Sequence, residues 1–231
     1  MTTSIVVTEA TILNPTKGPT LPFAPVQYDR QYADTLNNIL RQYFNTLDNY
    51  TAQLKLSIGG SGAGVYLPYG SFADTTDQTV AAVDTGTVMT FNTTDFANGV
   101  SVVTSGGLAS RITVTNPGIY NFQWSGQFQN TDSQDHDASI WVRKNGSDVV
   151  GSSGLIAVPS KHGSVDGHII AGWNFLFNLA ANDYIELWWE TDNTAVSIQT
   201  YPAVTSPPAA PAAVRPSTSS LVATMTFVSA V

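Results

Sequence analysis

Two glutamates, Glu186 and Glu190, stand four residues apart in the run Tyr184-Ile185-Glu186-Leu187-Trp188-Trp189-Glu190. On a strand that spacing puts both carboxylates on one face, with Tyr184 and Trp188 on the same side. Paired carboxylates can hydrolyse glycosidic bonds, one as proton donor and the other as base or nucleophile. A carboxylate–aromatic strip can instead contact sugar, or form the outer face of a strand packed on a neighbouring subunit. Tyr184 and Trp188 are therefore taken as surface or ligand contacts, and no hydrolytic pair is assigned. A second cluster, Asp132-Ser133-Gln134-Asp135-His136-Asp137, has hard oxygen donors for a cation in Asp132, Asp135 and Asp137, with His136 among them. It lacks the twelve-residue calcium-loop pattern and its closing glutamate. It reads as a solvated hairpin tip.

The remaining chemistry is sparse. The other histidines, His162 and His168, make no H-E-x-x-H and no helical ligand pair. Ser61, inside Gly59-Gly60-Ser61-Gly62-Ala63-Gly64, does not fit a nucleophile elbow, and no Lys-Ser or Lys-Thr follows as in a phosphate loop. Ser152-Ser153-Gly154 and Lys161-His162-Gly163-Ser164 suggest no triad. Cysteine is absent, which excludes disulfides, thiolate metal sites and cysteine nucleophiles. The expectation is no enzyme, with no catalytic residue, no cofactor and no metal.

Charged residues make up 11% of the 231 residues, against about 25% in an ordinary globular chain. Thr, Ser, Asn and Gly take their place, as suits strands and turns. The net charge is −8. Residues 1–24 and 25–56 each sum to zero, so the whole acidic excess lies C-terminal of them. Such a surface repels phosphate, so nucleic acid is not expected as a partner. No apolar run is long enough to span a membrane, and no signal peptide is read at the start, so no membrane insertion is expected.

Four segments emerge. Residues 1–24, with Pro15, Pro19 and Pro22, read as an extended docking arm whose Ile5, Val6 and Val7 could add a strand to another sheet's edge. Residues 25–56 change period. Ala33, Leu36, Leu40, Tyr43, Leu47, Tyr50 and Leu54 recur in steps of three and four, an a/d seam that Val26 extends upstream, with Asp29 breaking the series. This predicts a coiled-coil helix starting after Pro25, and its bulky tyrosines lean towards three strands. Residues 57–66 are a Gly-rich linker. From residue 67 to 231 the period becomes two, as in Tyr120, Phe122, Trp124 and Phe128, or Ile185, Leu187 and Trp189. Turn signals at Asn98-Gly99, Asn116-Pro117-Gly118, Asn145-Gly146 and Asn182-Asp183 divide the runs. Ten or so strands without a helix imply a β-sandwich, with 202–216 as a long loop before the last strand.

Gly118-Ile119-Tyr120-Asn121-Phe122-Gln123-Trp124 resembles the G-x-Y-x-F-x-aromatic signature of the complement globular-head and tumour-necrosis-factor-like jelly rolls. Phe91-Asn92, the Lys144-Asn145-Gly146 hairpin, and Asn174 to Leu179 followed by Asn182-Asp183-Tyr184-Ile185-Glu186-Leu187 resemble further parts of that pattern, with Asn182 where glycine is usual. The wider layout of heptad helix, Gly-rich linker, Leu67-Pro68-Tyr69-Gly70 and Asn92-Thr93-Thr94-Asp95-Phe96 resembles virion proteins of tailed phages, notably those of marine bacteria. The resemblance implies a mainly β chain: an N-terminal coiled-coil helix, then a jelly roll. It also implies a homotrimer, a structural appendage or decoration protein assembled with other virion proteins in the host cytoplasm. A host surface glycan or receptor is its expected outward contact. The alternative is a secreted or surface carbohydrate-binding, lectin-like module.

Overall fold

The computed structural model describes residues 18–56, 67–205 and 214–230. The arm residues Ile5, Val6 and Val7 and the linker 57–66 lie outside the described residues, and the side chain of Leu54 does too. The chain divides into two compact units, Met1–Tyr66 and Leu67–Val231.

In the first unit a helix, α1, runs from Arg30 to Leu56, about 40 Å at 1.5 Å per residue. It starts later than the proline suggests. Asp29 is the cap: its Oδ1 accepts from the backbone N–H of Gln31 at 2.7 Å, and its carbonyl receives the N–H of Ala33 at 3.1 Å. A capping carboxylate meets the unpaired amides of the first turn. The residue that breaks the heptad series is thus the residue that begins the helix, and Val26 stands outside it, fully exposed. Ala33, Leu36, Leu40, Tyr43, Leu47 and Tyr50 are half-buried along one side, joined by Tyr32 and Ile39. On the polar side the hydroxyls of Thr35, Thr46 and Thr51 donate to carbonyls one turn back.

The second unit is a β-sandwich of two antiparallel sheets. Its strands are β1 (Tyr69–Asp74), β2 (Gln78–Thr79), β3 (Thr87–Val88), β4 (Thr93–Asn98), β5 (Val100–Ser105), β6 (Leu108–Val114), β7 (Gly118–Asn130), β8 (His136–Lys144), β9 (Ser147–Asp148), β10 (Gly154–Val158), β11 (Gly167–Leu179), β12 (Tyr184–Thr191), β13 (Val196–Ile198) and β14 (Leu221–Ser229). One sheet has the order β2-β13-β7-β14-β1-β4, with β11 on the other side of β7. The other has the order β10-β8-β12-β6-β5, with β3 added to β12 and β9 to β8. β7 and β11 are 13 residues each and pair along their whole length. The far side of β7 is shared end to end by β14 and β13.

Alternation puts Phe72, Tyr120, Phe122, Phe128, Ile185, Leu187, Trp189 and Met225 between the sheets, each no more than 1% exposed. Phe128 of one sheet meets Trp189 of the other edge-on at 5.8 Å between centroids, a geometry favoured by the ring quadrupoles. Turns fall where Asn and Gly permit positive φ. Asn145 and Gly146, at φ 51° and 80°, make the tight hairpin between β8 and β9. The expected loop at 202–216 is partly a paired strap: Tyr201 bridges Thr218 and Val204 bridges Arg215.

Candidate functional site

The outward face of the β10-β8-β12-β6-β5 sheet brings Arg111, Arg143, Asp148, Glu186 and Glu190 onto neighbouring strands. Register on β12 turns Tyr184, Glu186, Trp188 and Glu190 the same way. Glu186 lies opposite Arg143 of β8, and Trp188 opposite Trp141. The hairpin then sets Arg143 opposite Asp148. On the other flank β6 brings Arg111 to Glu186.

The contacts are close. Arg111 Nε donates to Glu186 Oε1 at 3.0 Å, and Ser110 Oγ lies 3.5 Å from the same oxygen. Arg143 Nε donates to Asp148 Oδ1 at 2.6 Å, and Trp141 Nε1 donates there at 2.9 Å. The Arg111 guanidinium stacks 4.2 Å from the centre of the Tyr184 ring, and that of Arg143 4.1 Å from the Trp188 ring. The Arg143 hydrogen bond holds the Asp148 carboxyl below its ordinary range, against an opposing push from burial, and Trp141 adds to the lowering. Glu186 is only 6% exposed and ion-paired, so it is not a free partner for Glu190.

The Asp132–Asp137 segment is solvated, with Ser133, Gln134, Asp135 and Asp137 exposed, but it links β7 to β8 across two sheets instead of closing a hairpin, and hydrogen bonds tie it down. His136 Nε2 faces Asp132 Oδ2, and its Nδ1 faces Asp192 Oδ1 at 3.3 Å. Asp137 N–H also donates to Asp192. Asp135 turns away and accepts the Ser160 N–H at 2.7 Å. His136 hydrogen bonding lowers Asp132, and the Ser160 N–H lowers Asp135. The four residues therefore do not converge on one point. Among the described residues no group of three or more His, Asp or Glu is arranged to hold a metal ion.

Two polar clusters were not singled out by sequence. Asp74, 1% exposed, accepts the Thr76 N–H at 2.8 Å, Asn92 Nδ2 at 3.1 Å and the Thr90 hydroxyl at 2.9 Å. It ties β1 to the segment entering β4. Across the same sheet, at β11, the Tyr201 hydroxyl meets His168 Nδ1 at 3.0 Å. Burial, then Asp166 and Asp77, raise the Tyr201 phenol. The first clasps β1 to the segment before β4, and the second clasps Tyr201 to β11. The signal that could have exposed the arginine contacts is scarcity: only five basic residues lie beyond the helix, and three of them, Arg111, Arg143 and Lys144, sit on β6 and β8.

No helix of the described residues is long and apolar enough to cross a membrane. No family model matches the chain, and no curated protein matches it.

Proposed function

We propose that this chain is a structural protein of a bacteriophage virion, a homotrimeric fibre or decoration-type appendage that presents its β-sandwich to the host surface. The sequence resemblance supplies the virion assignment. The observation that carries self-assembly is a neutral sheet face. Strands β1, β7, β11 and β14 contain no Lys, Arg or Glu, one Asp and one His. The Asp is Asp74, buried; the His is His168, at the far end of β11.

Cross-strand rows on the outward side of that sheet read Asn174-Gln123-Thr224-Ser71 and Leu176-Asn121-Thr226-Tyr69. In a chain of net charge −8, a broad face whose charges sit at its margins, Asp95 against Ser71 and Asp166 against Gln129, suits contact with copies of itself, because little at its centre repels. Next to it, β11 forms the sheet edge and pairs only with β7 among the described residues. It exposes Ile170, Trp173 and Leu176. Natural sheets guard such edges with lysine, proline or a cover; β11 has neither residue, so a cover is the remaining device. The opposite sheet, which holds the charges, is then left for other contacts. The strand order supports reading the sandwich as a jelly roll, since chain neighbours such as β7 and β8 fall in different sheets. The half-buried stripe of α1 supports a second, coiled-coil contact about the same threefold axis.

Sedimentation equilibrium of the full chain tests the assembly: the expected mass is three times 24.6 kDa, and a monomer contradicts it. Peptide mass spectrometry of purified tailed-phage particles tests the location. Absence of this chain from particles whose genome encodes it contradicts the virion reading.

A further inference from the structure

The charged face carries chemistry that neither the fold nor self-assembly consumes. Arg111, Glu186, Arg143 and Asp148 form a ladder across four adjacent strands, β6, β12, β8 and β9, with alternating signs. Each ion pair uses one atom from each partner: the arginines give Nε, and the acids give Oε1 and Oδ1. The η nitrogens of both arginines and the second oxygens of both carboxylates have no protein partner among the described residues. The side chains of Arg111 and Arg143 are 35% and 28% exposed. Stacking on Tyr184 and Trp188 fixes both guanidinium planes. The donors and acceptors are thus set in place on rigid strands before any ligand arrives. Beside them the indole N–H of Trp188 is shielded and has no acceptor, a donor the fold leaves over.

We propose that this ladder is a saccharide-binding site for a neutral sugar, whose adjacent hydroxyls bridge arginine η nitrogens and the free carboxylate oxygens. A hydroxyl both donates and accepts, so it matches a surface on which donors and acceptors alternate. The four charges cancel, so an anion gains no net attraction, and the acidic chain repels a polyanion at longer range. Tyr184 and Trp188 each carry a guanidinium over the ring, so they serve as platforms that hold the arginines for the sugar, not as walls against it. The site lies on the sheet opposite the neutral face and does not depend on the assembly reading.

The test is calorimetric titration of the full chain with neutral hexasaccharides of glucose, mannose and galactose, and with oligogalacturonate as the charged comparison. The expected result is binding of at least one neutral hexasaccharide. Arg143→Lys, which keeps the charge but loses the planar fork, weakens it about tenfold or more, a change of about 1.4 kcal/mol. Asp148→Asn, at the exposed end of the ladder, weakens it too, and is the variant that cannot cost a core contact. No binding by any neutral hexasaccharide overturns the proposal. So does stronger binding of oligogalacturonate, or neutral binding unchanged in both variants. A trimer that binds no sugar rejects the site and leaves assembly standing; a monomer that binds sugar does the reverse.

Discussion

The imidazole Nε2 of His136 stands 2.9 Å from Oδ2 of Asp132, four residues back along the same turn. With Asp192 on the other ring nitrogen, one side chain joins the turn entering β8 to the turn leaving β12. Neutral imidazole has a single N–H, so both contacts are hydrogen bonds only when the ring carries two protons.

The first prediction concerns acid. Asp132, Asp135 and Asp148 all ionise more readily in the folded chain than an ordinary aspartate. Their contribution is therefore fully present above the ordinary value of about 3.9 and is lost as pH falls through the lower folded values. The melting temperature should hold from neutral pH to about 5 and fall below about 4. Asp132→Asn should shrink that fall. A melting temperature that rises in acid contradicts the assignment.

Asp74→Ala should destabilise the sandwich by about 3 kcal/mol, because it strands several buried donors at once. Urea denaturation measures this as a lower midpoint at unchanged slope. A loss under about 0.5 kcal/mol, the usual size of a surface effect, would mean that the buried network relaxes without cost.

Leu40→Asp puts a charge in the half-buried stripe of α1, where a carboxylate without a partner is costly. The expected outcome is weaker assembly by sedimentation, while the melting of residues 67–231 moves little. If the sandwich melts much earlier while the trimer persists, the helix stabilises the sandwich rather than the assembly.

Leu176→Arg tests the neutral face directly. Leu176 is 66% exposed on β11, so arginine should be accepted by the isolated fold within about 0.5 kcal/mol. If the face is covered by a second copy, the variant should lower the assembled mass. Unchanged mass would move the contact elsewhere.

Much of the sandwich is legible in the alternation alone. Tyr120, Phe122, Trp124 and Phe128 all point into the core, each at most 6% exposed. Trp173 has inward parity too, yet is 47% exposed, because β11 is an edge and nothing described lies beyond it. Side-chain period reports the face of a strand, not its place in the sheet. The candidate site divides in the same way. A two-residue turn at Asn145-Gly146 sets Arg143 across from Asp148 by counting, so that contact was readable. Arg111 meets Glu186, and His136 meets Asp192, only after distant strands pair, and no local spacing records that. Sequence puts the helix start too early because Pro25 and Asp29 both mark a helix beginning, and only the capping hydrogen bonds of Asp29 choose between them.

The pairing of β1 has a consequence for the order of events during synthesis. Gly70 lies between Ala97 on one flank and Met225 on the other. β14, made more than a hundred residues later, therefore fills the middle of a sheet, between β1 and β7. Until it arrives, both neighbours have an open flank in the nascent chain. Contacts so distant in sequence are slow to form. The helix, made first and built from contacts within four residues, needs no such wait. On a polysome, sister helices can meet before any sandwich closes, so in the proposed trimer association through α1 would precede the completion of each head by its central strand.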